Sequence, residues 1–249
     1  MQVIGLTHPG RERSRNEDSF LIKQSPRLHL LAVADGLGGH QAGDVASNLA
    51  VEILEQHWGE MEQELTGAPK SQLAEFVQNL MYKANHALLE QSSADSTKQG
   101  MGTTLTMGLV ADGHLTIGHV GDSRAYLVNG EQIRLLTEDH SLLGEMIQAG
   151  DISPDEAQGH PQRHILTRAL GSSPEIKIDL IQQELEEGFG LIFCTDGLTS
   201  LVREEEILSL YLKHDDLNRL AKALIDLANK RGGFDNITVV LARDSRRQK

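Results

Sequence analysis

Four aspartates each lie beside a short apolar segment, where an unpaired carboxylate is costly. Asp35 ends the run LHLLAVAD, Asp196 follows GLIFCT, Asp122 follows GHVG, and Asp235 precedes NITVV. An ionised carboxylate at the mouth of a buried strand needs a cation or hydrogen-bond donors to offset its desolvation. One such residue is most often a turn or a cap, but four in the same context favour a shared partner.

A hard divalent cation would explain a meeting of these acids along one sheet edge. Mg²⁺ and Mn²⁺ prefer oxygen ligands, and Mg²⁺ retains several waters, which suits a catalytic site. Two such ions about 3.5–4 Å apart can hold both oxygens of an in-line displacement. A zinc site is not predicted, because Cys194 is the only cysteine and Pro161 interrupts the spacing of His160 and His164. The residues therefore predict metal-dependent hydrolysis, with Asp18 as a further acid.

Hydrophobic periodicity predicts the elements that must position these acids. Apolar residues recur at helical spacing over 42–65 and again over 73–88, which predicts an antiparallel helix pair. A last amphipathic helix is expected over 215–230, ended by two glycines. Short apolar or alternating runs predict strands at 28–34, 103–110, 114–120, 124–128, 132–136, 176–183, 189–194 and 237–242.

The middle of the chain indicates hairpins. Asp112-Gly113 and Asn129-Gly130 separate alternating runs, and no helix interrupts residues 103–136. This favours an antiparallel sheet core with helices outside, an α+β fold, over a parallel doubly wound sheet. Residues 139–173 are expected to hold two short helices, one of them starting at a capping box from Ser153 to Glu156.

Charge and composition exclude several function classes. The 249 residues carry 36 acids against 23 Lys and Arg, a net charge of -13, so a duplex nucleic acid is not an expected partner. No apolar run reaches the roughly 18–20 residues that cross a bilayer, and the first residues do not resemble a secretory signal. One cysteine fits a reducing compartment. We therefore expect a soluble cytoplasmic monomer without membrane contact.

Eight motifs in order carry a resemblance to a known family. The set RSRNED, VADGLGGHQAGD, GTTL, HVGDSRAY, EDHSL, LTRALG, CTDGLTS and FDNITVV resembles the metal-dependent serine/threonine protein phosphatases of type 2C, especially the bacterial single-domain members. The resemblance runs from about residue 5 to 242. It implies a four-layer αββα sandwich of two antiparallel sheets flanked by helix pairs. It also implies one catalytic domain over 1–242, with a flap at 142–172 and a polar tail at 243–249.

The resemblance implies a ligand for each ion. Asp35 matches the residue that bridges two Mn²⁺ or Mg²⁺ ions, and the Gly36 carbonyl matches a ligand of one of them. Asp196 and Asp235 would complete the second site. Some bacterial relatives hold a third, weaker ion, and Asp122 matches its ligand. The implied reaction is direct attack of a metal-bridging water or hydroxide on phosphoserine or phosphothreonine.

Other residues match supporting roles. Arg13 matches the phosphate-binding arginine, with Arg11 and Arg15 as alternatives, since the planar guanidinium can bind two phosphate oxygens. Asp18 would fix a metal-bound water from behind the ligands. His40 matches a general acid that protonates the departing oxygen, and the alternatives are that it orients water or caps the following helix.

The same residues bear on three rival functions. A cysteine phosphatase needs an arginine six residues after its nucleophile, but Ser200 stands six after Cys194, which we interpret as core. The acidic charge argues against a metal-dependent nuclease. A catalytically weak, phosphatase-like binding module is the alternative, although the chain retains every metal acid. His119 stands where we expect a small or amide side chain, and its role has no sequence-based interpretation. Phosphorylated proteins and a cognate Ser/Thr kinase are the implied partners.

Overall fold

A computed structural model of the protein describes residues 1–38, 42–65, 67–153, 156, 160–162 and 165–244. Its strands are β1 (Gln2–His8), β2 (Asp18–Gln24), β3 (Leu28–Leu37), β4 (Gly102–Thr103), β5 (Leu105–Ala111), β6 (His114–Val120), β7 (Arg124–Asn129), β8 (Gln132–Leu135), β9 (Asp179–Glu184), β10 (Gly190–Cys194) and β11 (Ile237–Arg243). Its helices are α1 (Ala42–Gln56), α2 (Trp58–Leu65), α3 (Lys70–Ala94), α4 (Leu142–Ala149), α5 (Asp196–Thr199), α6 (Glu204–Lys213) and α7 (Leu217–Lys230).

The strands form two sheets in which every pairing is antiparallel. One sheet has the order β1-β11-β10-β7-β8, and the other has β2-β3-β5-β6-β9 with β4 beside β3. Alternation along a strand sends neighbouring side chains to opposite faces. Leu31 and Val33 of β3 pack between the sheets against Leu191 and Phe193 of β10, whereas Leu30 faces the helices. Both faces are therefore covered, which explains the continuous apolar runs.

Helices cover the outer face of each sheet. Helices α1 and α3 pack on the six-stranded sheet, and α7 packs on β1 and β11 of the other with α6 beside it. The predicted α+β fold and the four-layer αββα sandwich are confirmed. Among the helices in the described ranges, none is long and apolar enough to cross a bilayer.

The predicted 42–65 helix is divided in the structure. It breaks at His57, where the ring Nδ1 lies 2.8 Å from the Ile53 carbonyl oxygen and takes the place of a helical backbone hydrogen bond. The chain end also differs, because β11 continues through Arg243. The buried guanidinium of Arg243 donates to the hydroxyl and carbonyl oxygens of Tyr211, so this residue is not part of a solvated tail.

The turn signals in the middle of the chain are confirmed. Asp112 and Gly113 have φ values of 47° and 80°, which place both in the left-handed region that a tight hairpin requires. Of the two helices expected in 139–173, one is α4. The second falls mostly on undescribed residues, but Ser153 and Glu156 make the reciprocal hydrogen bonds of the predicted capping box.

Candidate metal centre and active site

The six-stranded sheet brings three of the predicted acids to one end of the sandwich. Asp18, the first residue of β2, is the direct register partner of Asp35 near the end of β3. Asp122 follows β6 and precedes β7, which belongs to the other sheet. The chain therefore crosses between the sheets at Asp122, beside the other two acids.

The five-stranded sheet adds two acids at the same end. Asp196 begins α5 two residues after the end of β10, and Asp235 lies two residues before β11. Cys194 pairs with Val239, so the end of β10 lies next to the start of β11. Five carboxylates from both sheets thus surround the same end of the interface.

Electrostatics show how closely these carboxylates are grouped. Burial raises the pKa of Asp35 well above its usual range, and the neighbouring charges of Asp18, Asp196, Asp122 and Asp235 raise it further. Burial is also the main cause of the raised pKa of Asp122, with the largest charge effect coming from Asp196. A cluster of this kind fits a divalent cation, because a bound cation would stabilise the ionised form of each carboxylate.

Asp18 joins the two sheets behind the cluster. Its Oδ2 accepts hydrogen bonds from the Thr195 hydroxyl at 2.9 Å and the Thr238 hydroxyl at 2.7 Å. Burial raises the pKa of Asp18 to about 7, although these two hydrogen bonds act to lower it. Its Oδ1 is buried and has no hydrogen-bond partner in the described ranges, which fits a water or cation beside it. Within those ranges, no three acidic, His or Cys side chains are arranged to hold an ion unaided, so water ligands would be needed.

Position 36 must be a glycine, because the surrounding backbone leaves no room for a side chain. A Cβ at this position would lie 2.0 Å from the Gly43 carbonyl oxygen, and a Cβ on Gly43 would lie 2.4 Å from Glu17 Oε2. The end of β3, the start of α1 and the segment before β2 therefore pack with backbone in contact. His40, predicted as the general acid, lies outside the described residues, as do its two neighbours.

Arg13 lies against the acid cluster. Its Nη2 donates to Asp235 Oδ2 at 2.9 Å, and its Nε donates to the Phe234 carbonyl oxygen at 3.4 Å. The guanidinium is more than half exposed, so it faces solvent beside the carboxylates. This places a planar cation with several donors at the solvent-exposed edge of the acid cluster.

Comparison with known proteins identifies the fold and its chemistry. The profile of the family described as protein phosphatase 2C matches residues 5–238. The chain belongs to the protein phosphatase 2C family. It is a metal-dependent protein serine/threonine phosphatase, and the alternative of a non-catalytic binding module is not favoured.

Relatives from bacteria match nearly the whole phosphatase. The serine/threonine phosphatase Stp of Listeria innocua is 37% identical over 244 residues, covering 98% of this chain and 96% of the relative. The structure of Stp1 from Staphylococcus aureus has a TM-score of 0.89 at 32% identity and covers 97% of this chain and 94% of its own. The catalytic domain of PstP, solved in complex with two manganese ions, has a TM-score of 0.84 at 34% identity and covers 97% of both chains.

Asn236 fixes the loop that carries Arg13. This buried residue accepts from the Glu17 backbone N–H at 2.7 Å and donates from Nδ2 to the carbonyl oxygens of Pro9 and Arg15, at 3.0 and 2.8 Å. The segment before β2 is thereby held to the start of β11. The position of Arg13 in the phosphatase thus depends on a side chain more than 200 residues away.

We expect Asn236→Ala to destabilise the phosphatase by about 3 kcal/mol, since three hydrogen bonds are lost and buried backbone groups are left unpaired. For a chain of this length, that corresponds to a fall in Tm of roughly 6–12 °C. Guanidinium denaturation and differential scanning calorimetry would measure the loss. Asn218→Ala on the exposed face of α7 is the matched control. A loss below about 1 kcal/mol would contradict the structural role of Asn236.

The structure gives His119 the interpretation that the sequence lacked. Its Nδ1 lies 2.8 Å from the Thr106 hydroxyl oxygen, and its Nε2 lies 2.8 Å from the Glu138 carbonyl oxygen. Burial lowers the pKa of the imidazole to about 4, so it is neutral and Nε2 donates. Thr106 and His119 are register partners on β5 and β6. His119 therefore links β6 to Glu138 in the segment that follows β8, next to the loop that carries Asp122.

That same segment carries a second anchor. Arg124 binds Asp139 through two hydrogen bonds, Nε to Oδ1 at 2.9 Å and Nη2 to Oδ2 at 2.7 Å. His140 clamps Gly121, since its backbone N–H donates to the Gly121 carbonyl oxygen and its Nδ1 accepts from the Gly121 N–H. Both ends of the Asp122 loop are thus fixed by the EDHSL motif.

Sequence reasoning missed the hydroxyl and amide groups that support the acids. Thr195 and Thr238 bind Asp18, and the Thr104 hydroxyl accepts from the Asp35 backbone N–H at 2.9 Å. The available signal was a threonine within or directly after an otherwise apolar strand. Cys194 is confirmed as core, because its side chain is fully buried, and burial raises the pKa of its thiol to about 12.

Proposed function

We propose that Asp35, Asp196 and Asp235, with the Gly36 carbonyl, hold two Mn²⁺ or Mg²⁺ ions, and that Asp122 contributes to a third, weaker site. The convergence of five carboxylates from both sheets at one end of the sandwich supports this assignment most directly. The two manganese ions of the related PstP structure agree with it. When bound, such ions supply an acidified water for in-line attack on phosphorus and offset the phosphoryl charge.

The remaining residues bind the substrate, orient the attacking water and protonate the leaving group. The Arg13 guanidinium binds phosphoryl oxygens, for which its place beside Asp235 is suitable. Asp18 accepts from two threonines through Oδ2 and retains Oδ1 to orient the attacking water. His40 protonates the departing serine or threonine oxygen. These steps require no phosphorylated enzyme intermediate.

The substrates are phosphorylated proteins, and a cognate serine/threonine kinase is the proposed source of their phosphates. Residues 1–242 would act as a single catalytic domain in a cytoplasmic monomer. The segment 142–172, which begins with α4, would form a flap next to the centre. Its link to the site is supported by the hydrogen bond from Thr167 N–H to the His140 carbonyl oxygen.

Removal of divalent ions should abolish turnover. Loss of about 4 kcal/mol of transition-state stabilisation would slow hydrolysis by roughly 10³-fold. The measurement is phosphate release from a phosphothreonine peptide and from p-nitrophenyl phosphate, after EDTA treatment and then after addition of Mn²⁺. Recovery with Mn²⁺ controls for unfolding. Activity that survives complete chelation would refute the metal-dependent mechanism.

A further inference from the structure

Two loops beside the metal centre present side chains that the reaction itself does not use. We propose that Phe234, Arg11 and Arg15 form a recognition rim that binds the residues flanking the phosphorylated serine or threonine. The rim would favour protein segments with an apolar side chain and acidic side chains near the phosphate. This inference rests on the proposed function and names the class of substrate that the site selects.

The rim is fixed in place relative to the acid cluster. The Arg11 backbone N–H donates to the Gly233 carbonyl oxygen at 2.7 Å, and the Arg15 carbonyl oxygen accepts from Asn236. Phe234 directly precedes Asp235, the proposed metal ligand. A peptide residue spans about 3.3 Å in an extended chain, so residues within a few positions of the phosphate can reach these loops.

Phe234 is positioned for contact with a ligand. Its side chain is 48% exposed, the largest value among the bulky apolar residues in the described ranges. A single exposed apolar side chain is ordinary, but this one borders a catalytic centre. Its ring lies across Gly232, where a Cβ would come within 2.3 Å of the ring. A ring held in this way loses little conformational entropy when an apolar side chain packs on it.

The rim carries a local excess of positive charge. Three arginines and one glutamate occupy residues 11–15, and all are exposed, in a chain whose net charge is -13. Arg11 and Arg15 lie two residues on either side of Arg13, the arginine proposed to bind the phosphoryl group, so their charges lie close to that group. Guanidinium groups pair well with carboxylates, and a cation cluster in an acidic protein directs acidic segments to this edge.

The test compares a flanked substrate with an unflanked one that has the same leaving group. The substrates are an acidic phosphothreonine peptide with a neighbouring phenylalanine and N-acetyl-phosphothreonine amide, both with saturating Mn²⁺. The quantity is the ratio of their kcat/KM values. We expect Phe234→Ala to lower this ratio about 10-fold, chiefly through the KM of the peptide. We expect the double variant Arg11→Glu/Arg15→Glu to lower it at least 10-fold and to reverse the preference between acidic and lysine-flanked peptides.

Control variants and a change of salt concentration distinguish recognition of the peptide by the rim from general effects of surface charge and of protein folding. Leu212→Ala and Arg219→Glu alter exposed residues of the same kinds on α6 and α7 and should leave the ratio unchanged. The effect of the double variant should shrink in 0.5 M salt, since exposed charges are screened. A ratio that stays unchanged in both rim variants would overturn the proposal.

Failure of the proposed function would look different. Arg13→Ala should slow the flanked and unflanked substrates alike, because both carry the phosphoryl group. A wild-type protein that hydrolyses neither substrate with Mn²⁺ would refute the proposed function. Equal rates for all peptides with normal activity would refute only the rim.

Discussion

Asp196→Asn should lower kcat for a phosphothreonine peptide by at least about 10³-fold while the protein remains folded. The substitution keeps the size of the side chain but removes the charge that the proposed ion binds. Asp196 begins α5 at the point where both sheets meet, and its carboxylate is one of those that raise the pKa of Asp35. Loss of one ligand charge is expected to weaken ion binding as well as transition-state stabilisation.

The measurement combines kinetics at saturating Mn²⁺ with calorimetric titration of the ion. Asp112→Asn is a matched control, because Asp112 is an exposed hairpin residue bound to Arg27 and asparagine accepts its left-handed conformation. The control should retain full activity. If Asp196→Asn retained wild-type kcat and Mn²⁺ affinity, Asp196 would not belong to the centre. Circular dichroism and Tm would show whether a loss of activity reflects unfolding.

Periodicity predicted most of the elements that are buried on a definite face. The strands 189–194 and 237–242 lie between two apolar layers, so their apolar runs are continuous and easy to recognise. Strand β1 was not predicted, because it is an edge strand whose residues are only partly buried. Helix α6 was also missed. Its first turn is three glutamates, and only Ile207 and Tyr211 are buried along it.

The acids of the site were recognisable because a strand-end carboxylate is costly wherever the strands lie. Their supporting partners were not, because hydrogen bonds such as that from Thr238 to Asp18 exist only after the two sheets have packed. His119 shows the same limit. Its hydrogen bond to Thr106 depends on the register of β5 against β6. A slip of one residue in this register would place the two side chains on opposite faces of the sheet.

Asp35→Asn should stabilise the metal-free protein and abolish the further stabilisation that metal ions give to the wild type. In the metal-free protein, burial and four neighbouring carboxylates oppose ionisation of Asp35 and raise its pKa. The amide is neutral at every pH, so it removes the cost of ionising this buried group or of keeping it protonated. We expect a gain of about 2 kcal/mol near pH 8, or roughly 4–8 °C in Tm, with EDTA present. With saturating Mn²⁺ the order should reverse, since binding at 100 times Kd stabilises the wild type by about 2.7 kcal/mol.

The pH dependence follows from the direction of the pKa shifts. A carboxyl whose pKa is raised in the folded state binds its proton more tightly there than in the unfolded chain, where the pKa is about 3.9. Its stabilising contribution is full below pH 4 and is lost as pH rises through the folded pKa, which is about 7 for Asp18. The Tm difference between Asp35→Asn and wild type should therefore widen from pH 5 to pH 8 without metal. A difference that is constant over this range, or a less stable variant at pH 8, would mean that the acids do not repel one another in the folded protein.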